Sequence, residues 1–595
     1  MASPAPSQRS DGVSDGGTDA TCEIGFSGDF ATLTPDNAVA TVAFDRVVAL
    51  LEHNDDSSAE SYHKQFVSIL PSSLPHSEPE SASSSFSQPA PPSSERPASS
   101  PSPPPSAPAP APTIGHYRLS LDFLPESLDG RWRIGKGSSR AGDGRGVDLL
   151  LVPPGQHRGT GVSNVHALIS IHQRSGAFML HSTSNRPIIY LSAAEDGGDL
   201  VLRHGEQTVL WMATNRLRIG ALDYLLHIAV EHEGHFKTIR DEFLATVLNE
   251  RSRPHPKLDV IPQPYHHKTT GGYLIHKSIS VGAFGMVRSA VDSATGEPVA
   301  VKRVLCKGSA EARAVGDEAR IASKFVSDDA DGGIIPVLST WCEHGAAPPC
   351  NDNPEDIFLA MPLALADFGH TDWRCHPMAT RLALFRSTLA GLAKIHGAGV
   401  MHRDISPKNL LIRSFDPPLA AICDFGKATD KLLSCNTAIG PIDTVAPEVW
   451  TSEPRCRYGP AVDIWSLGYA WLSTFGSLRG LQSAAENLKT DSTRVIRIHK
   501  VLDGWVLDGT ISKELGDLLH NMLQYQPRKR CTAEQALLHR VWEVLQQEDA
   551  ESVAEEEEEE EAPRKRPRLL TPELDEMSGE PTAEASTMPD TEPNV

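Results

Sequence analysis

The chain has 595 residues, with 55 Lys and Arg against 77 Asp and Glu, and a formal charge of −22. The acidity sits at the two ends: residues 1–115 carry 14 acids and 4 bases, residues 548–595 carry 17 acids and 4 bases, and the stretch between has a net charge of +1. A near-neutral middle argues against a broad electrostatic nucleic-acid binder, which needs a basic surface to displace counterions, and no run of about 18 apolar residues is present to span a membrane.

In chain order, residues 1–115 come first, and 28 of the 42 residues from 71 to 112 are Ser or Pro. Such a stretch buries too little apolar surface to offset its ordering entropy, so residues 1–115 are expected to be a disordered arm. One patch inside it, 37–51, carries Val42, Phe44, Val47, Leu50 and Leu51, and reads as a transient amphipathic helix or a docking peptide. From 116 to 235, short β-rich runs recur at 117–123, 132–135, 147–152, 166–172, 177–181, 188–191, 208–213 and 224–230, broken by Gly, Ser, Asn, Asp and Pro. That spacing predicts an all-β sandwich. Residues 236–272 read as a linker. From 273 to 547 strands come first and helical periodicity follows, the order of a two-lobed α+β domain.

Residues 548–595 return to low complexity, with seven consecutive Glu at 555–561. The nearby basic cluster of Arg564, Lys565, Arg566 and Arg568 reads as a nuclear localisation signal, with the cytoplasm as the other compartment. The nine Cys show no metal-ligand spacing and the start of the chain has no signal-peptide pattern, so reduced thiols are expected.

Within 273–547 the residues that carry chemistry come in a definite order. Ser280, Val281, Gly282, Gly285 and Val287 form a Gly-rich turn between two strand-like runs, where glycines let the backbone approach phosphates closely. Lys302 follows Val299, Ala300 and Val301 on the next strand, and Glu318 lies in a helical run that can pair with it. His402, Arg403 and Asp404 precede Lys408 and Asn409; Asp424, Phe425 and Gly426 come next, then Ala446, Pro447 and Glu448. In this order the motifs resemble the eukaryotic protein kinases, over about 270 residues. The helical run 461–468 and Arg530 fall where that family has its central helix and the late Arg that pairs with Glu448.

The resemblance implies an ATP- and Mg²⁺-dependent serine/threonine kinase. Lys302 would hold the α- and β-phosphates with its rotamer fixed by Glu318, and Met361 would sit at the adenine pocket. Asp424 and Asn409 would bind Mg²⁺, Asp404 would take the substrate hydroxyl's proton, and Lys408 would contact the γ-phosphate. Thr429, Ser434 and Thr437 become candidate activation-segment phosphosites. Asp367, Phe368 and Gly369 repeat a motif but precede the catalytic loop and belong to the connection between lobes. Pro441 and Thr444 depart from the family at the substrate side.

The sandwich carries Arg133 to Lys136 at the end of one strand-like run, Ser163, Asn164 and His166 some 30 residues on, and Ser184 with Asn185 after a later strand. This set resembles the FHA (forkhead-associated) domain, an 11-stranded sandwich that binds phosphothreonine through its loops. The resemblance implies a phosphopeptide site of Lys136, Arg140, Ser163, Asn164, Ser184 and Asn185, with His166 as a buttress. Lys136 stands where the family has Arg, losing a bidentate donor, and Arg186 replaces a Gly. The expected protein is therefore a nuclear kinase of checkpoint type, acting on protein Ser/Thr and recruited by a phosphothreonine-bearing partner, with trans-phosphorylation in a transient dimer. The alternative is a phosphopeptide-binding adaptor with a weak or inactive kinase domain.

Overall fold

The computed structural model describes residues 28–53, 62–69, 115–123, 125–127, 129–138, 146–153, 159–191, 198–228, 233–248, 253–259, 268–282, 285–306, 308–325, 333–342, 356–436, 440–441, 443–451, 457–476 and 492–543. Arg140, Thr437 and the basic cluster at 564–568 lie outside them.

The first half is built from strands whose side chains alternate between a buried and a half-exposed face, the period-two pattern of a sheet packed on one side. They are β1 (Asp29–Pro35), β2 (Val67–Ile69), β3 (Gly115–Ser120), β4 (Trp132–Gly135), β5 (Leu149–Leu150), β6 (Ala167–Ile171), β7 (Phe178–Ser182), β8 (Ile188–Leu191), β9 (Leu200–Leu202), β10 (Gln207–Val209), β11 (Thr214–Ile219) and β12 (Leu222–Ile228). One sheet has the order β2-β3-β1-β12-β11-β8-β9 and the other β10-β7-β6-β4-β5. Trp132, Phe178, Tyr117, Tyr190 and Tyr224 fill the core that they share, all fully buried.

Two expected boundaries are corrected. The segment read as part of a disordered arm supplies β1, which sits inside its sheet with Leu33 opposite Tyr117 on one side and Leu226 on the other. Helix α1 (Ala38–His53) follows, and Ala40, Phe44, Val47, Val48 and Leu51 form its buried stripe. Val42, counted on the apolar face, is exposed at 48%. Asn37 starts the helix, its Oδ1 accepting from Ala40 N at 2.8 Å. The partners of this segment come from residues beyond 115, so local composition could not reveal them. The expected linker likewise holds α2 (Glu233–Leu248), which inserts Phe236, Phe243 and Leu244 into the sandwich core; Phe243 stacks on Trp132 at 5.4 Å.

The second half opens with an antiparallel sheet of β13 (Lys268–Thr270), β14 (Tyr273–Gly282), β15 (Gly285–Asp292), β16 (Pro298–Val304), β17 (Ser339–Cys342) and β18 (Ile357–Pro362), in the order β13-β14-β15-β16-β18-β17. Helix α3 (Ser309–Ala322) packs beside it. The other lobe is mainly helical: α4 (Met378–Gly397), α5 (Pro447–Thr451), α6 (Ala461–Phe475), α7 (Ser492–Leu507), α8 (Lys513–Met522) and α9 (Ala533–Leu537), with a small sheet of β19 (Ala366–Asp367), β20 (Leu410–Phe415) and β21 (Pro418–Ile422). The α6 helix is apolar around nearly its whole circumference and is correspondingly buried, Trp465 and Trp471 completely.

The sandwich packs on the upper lobe. Val209 N and Thr208 Oγ1 both donate to Ser293 O, at 2.8 and 3.1 Å, and Arg174 pairs with Glu297 at 2.8 Å. Beneath these bonds Ala177, Met179 and Val209 share an apolar cluster with Leu274, Val291 and Leu363. Among the described residues no helix is long and apolar enough to cross a membrane. Cys306, Cys375, Cys423, Cys435 and Cys531 are free thiols, but Cys342 is disulfide-bonded, correcting the expectation of reduced thiols throughout. Pairing depends on Cα atoms lying within about 7 Å, which spacing along the chain does not disclose.

Candidate active site

The cleft between the lobes is assembled by strand register. Ser280 pairs with Val287 and Gly282 with Gly285, closing the Gly-rich hairpin. Gly285 has φ +145°, and a Cβ there would lie 1.9 Å from Arg303 O, so the neighbouring strand leaves no room for a side chain. Val287 then faces Lys302, and Ala300 faces Met361. Ala300 and Lys302 are two residues apart and share one face of β16.

Lys302 Nζ donates to Glu318 Oε1 and to Asp424 Oδ1, both at 2.8 Å. Burial works against the ammonium, but the Glu318 and Asp424 carboxylates outweigh it and hold Lys302 above the ordinary lysine range. Asp424 is held below the ordinary carboxylate value, burial being overcome by Lys302. Glu318 moves the other way, raised by burial despite Lys302. The two carboxylates hold one ammonium in place, and that ammonium is a positive point that can meet phosphate oxygens.

The catalytic loop hangs on a single buried carboxylate. Asp463, on α6, accepts from His402 N at 2.9 Å, Arg403 N at 2.7 Å and His396 Nε2 at 3.0 Å. This holds Arg403 in a left-handed conformation, φ 64°, which non-glycine residues rarely adopt. Asp424 has φ 67°. His402, itself fully buried, reaches Cys423 O at 3.0 Å and so ties the loop to the strand that delivers Asp424. Asn409 Nδ2 donates to Asp404 O at 2.8 Å. Asp404 pairs with Lys427 at 3.4 Å; its pKa is nevertheless raised, burial outweighing Lys427 and His402.

A cavity of about 740 Å³ runs through this region and is lined by Ser280, Val281, Val287, Lys302, Glu318, Met361, Lys408, Asn409 and Asp424 among others. The structure therefore brings every expected nucleotide-side residue with a described side chain to one cleft. Oxygen donors from Asn409 and Asp424 suit a hard cation, so the residues present fit Mg²⁺. Asp367 and Phe368 lie elsewhere in role: Asp367 Oδ1 accepts from Gly369 N at 2.9 Å and His370 N at 3.0 Å, and Phe368 is buried against Trp471.

Of the activation-segment candidates, Ser434 Oγ accepts from Arg403 Nη1 at 3.0 Å. Thr429 is held by its backbone to Met401, at 2.8 and 2.9 Å. Thr444 is buried and its hydroxyl donates to Pro441 O at 3.2 Å. Arg530 donates to both oxygens of Glu448, at 2.6 and 2.7 Å, and lies 5.1 Å from the centre of the Trp465 ring. Two working residues were not singled out in the sequence. Lys427 needed the fold to bring it to Asp404. Asp463 could have been found as the one acid inside an apolar helix, since such a charge must meet several donors.

At one end of the sandwich three loops converge. Lys136 N and Gly137 N donate to Ser163 O and Asn164 O, each at 3.1 Å. The approach is so close that a Cβ on Gly135 would fall 2.1 Å from Asn164 O. Ser163 N donates to His166 Nδ1 at 3.2 Å, and Ser163 Oγ lies 2.6 Å from Ser184 Oγ. Burial lowers the pKa of His166, keeping the ring neutral and able to accept that bond. Asn164 and Asn185 stand exposed beside the two serines. Arg186, a departure in the sequence, brings its guanidinium against Gly161 of the same loop region.

A two-lobed fold with a Gly-rich hairpin, a lysine held between two acids and an aspartate in the facing loop is an arrangement suited to phosphoryl transfer. Residues 273–542 match the family model of the protein kinase domain. Similar proteins include Mitogen-activated protein kinase 15 of Oryza sativa subsp. japonica, 30% identical over 300 residues that make up 44% of this chain and 58% of that protein. Mitogen-activated protein kinase 8 of Arabidopsis thaliana is 30% identical over 234 residues, 36% of this chain and 38% of that protein. Mitogen-activated protein kinase 16 of Arabidopsis thaliana is 30% identical over 300 residues, covering 44% and 51%. The chain thus spans between about a third and three-fifths of the length of such relatives. The family match begins at residue 273, beyond the sandwich.

Proposed function

We propose that this protein transfers the γ-phosphoryl group of ATP to Ser or Thr hydroxyls of protein substrates. The observation that carries the reading is Lys302, bonded to Glu318 and Asp424 in a cleft also lined by Asn409, whose side chain donates to Asp404 O. Lys302 would bind the phosphates, and Asn409 and Asp424 would hold Mg²⁺, which supplies neutralising charge to the phosphate oxygens. Asp404 would orient the substrate hydroxyl and take its proton. The new bond joins the hydroxyl oxygen to the γ-phosphorus as the bond to ADP breaks. The Arg403–Ser434 contact supports Ser434 as the segment's phosphosite, since a phosphate there would meet a guanidinium. The test is ATP-dependent phosphate incorporation by purified protein against Lys302→Met and Asp424→Ala. Equal incorporation by all three would overturn the reading.

We further infer that the sandwich is an FHA-like module that recruits the kinase to phosphothreonine-bearing partners. The paired hydroxyls of Ser163 and Ser184, with Lys136 and the amides of Asn164 and Asn185 around them, support it. Domain order favours checkpoint-type signalling, and the basic cluster at 564–568 favours a nuclear address. A phosphothreonine peptide library that the wild-type protein does not bind would leave the sandwich a scaffold. Unchanged nuclear signal after replacing the four bases with Ala would remove the address.

A further inference from the structure

The segment 253–259 joins the sandwich to the kinase domain, and it is fastened from both sides. His255 N donates to Arg174 O of the sandwich at 2.8 Å, and Leu258 joins the apolar cluster that holds Met179 and Leu363. Asp259 receives Lys237 from α2 at 3.2 Å and Lys277 from β14 at 2.9 Å. Between these anchors stands Lys257. Its backbone N–H donates to His255 Nδ1 at 3.2 Å, and its ammonium donates to Ala364 O at 3.1 Å.

Ala364 lies just past the end of β18, in the connection that leads from one lobe to the other. Lys302 is opposite Leu359 on that strand, five residues earlier, so at about 3.3 Å per residue Ala364 is well removed from the phosphate-binding lysine. The same cavity reaches both, and Lys257 lines it together with Met361, Leu363, Ala364 and Asp367. A nucleotide with its phosphates at Lys302 and Asp424 would direct its base and ribose toward that end. An ammonium has three donors, and Ala364 takes one. Burial lowers the pKa of Lys257 while the Asp367 carboxylate works to keep it charged.

We propose that Lys257, resting on the cleft reading above, is a nucleotide-binding residue delivered from outside the kinase domain, its ammonium contacting acceptor atoms of the ribose or base. The nucleotide site of this protein then extends into the connection between the sandwich and the kinase domain.

The experiment is calorimetric titration of the full chain with ADP and with ATP, both with magnesium, for wild type, Lys257→Met, Lys257→Arg and Glu297→Ala. Methionine keeps the aliphatic packing and removes the charge; arginine restores charge and donors and serves if the methionine variant fails to fold. Lys257→Met is expected to weaken binding about tenfold, the range of a lost hydrogen bond to a charged group, and Lys257→Arg to stay within about threefold. In turnover, KM for ATP should rise by the same factor with kcat unchanged. Glu297→Ala loosens the sandwich contact at Arg174 and should leave affinity unaltered. Equal binding by wild type and Lys257→Met overturns the proposal alone. A loss in Glu297→Ala as large as in Lys257→Met also overturns it, because docking rather than the ammonium would then set affinity. No nucleotide binding by wild type would overturn the cleft reading itself.

Discussion

The cleft and the loop end of the sandwich are the two sites proposed to meet phosphate, and they are built from opposite materials. The cleft sets full charges against one another: Lys302 between Glu318 and Asp424, Asp404 beside Lys427, Asp463 beneath the catalytic loop. The sandwich end uses hydroxyls and amides on exposed loops, positioned by backbone bonds to Lys136 and Gly137. A buried charge without its partner costs several kcal/mol, whereas a lost hydroxyl bond to a charged group costs about two. Single substitutions should therefore be severe in the first region and graded in the second.

The largest effect is expected at Asp404. Asp404→Asn should lower kcat about a thousandfold, within the range of lost general-base assistance, and leave nucleotide affinity unchanged. A comparable loss in affinity would mean that Asp404 acts on the nucleotide instead of the hydroxyl. Arg530→Ala should follow, because it removes both Arg530 bonds from Glu448 and empties a fully buried site over Trp465. Urea unfolding should show a loss of about 3 kcal/mol or more; under 1 kcal/mol would make this pair no stronger than a surface one.

The sandwich variant comes next. Ser163→Ala should weaken binding to a phosphothreonine peptide about thirtyfold, as for a hydrogen bond to a charged group. A loss as complete as that of Asp404→Asn would erase the contrast between the regions. The pH dependence of the cleft follows from Asp404. Burial raises its pKa, and only the carboxylate form accepts a proton. Activity should be fully present above that raised pKa and fall about tenfold per pH unit below it. The acid limb of kcat should thus lie at higher pH than for an ordinary aspartate; a limb at or below the usual carboxylate range would remove Asp404 from the proton's path.

Sequence legibility differs between the two regions for the same physical reason. The cleft's residues fall in short motifs because strand register and loop geometry place them within a few positions of one another: Val299 to Lys302, His402 to Asn409, Asp424 to Gly426. What joins the motifs to each other is non-local, so Lys427 on Asp404 and Lys257 on Ala364 left no local trace. The sandwich strands at 132–135 and 188–191 were readable to the residue from their β-branched and aromatic content. The central strand β1 was not, because its partners β3 and β12 lie about 80 and 190 residues further on, where pairing is decided by tertiary packing and not by propensity.

The smallest effect separates two roles for Ser184. Its hydroxyl accepts from Arg186 N at 3.0 Å and lies 2.6 Å from Ser163 Oγ, and the side chain is buried, unlike Asn185 beside it. Those contacts make Ser184 a brace that orients Ser163. Ser184→Ala alone should then weaken the phosphothreonine peptide about threefold, or roughly 0.7 kcal/mol. Once Ser163 is Ala, removing Ser184 should cost nothing more, because there is no hydroxyl left to orient. A double-mutant cycle by calorimetry measures this directly, since residues acting through one another give non-additive losses. If the double variant loses the sum of the two single losses, Ser184 touches the phosphate on its own account, and the sandwich end would share the cleft's use of independent contacts.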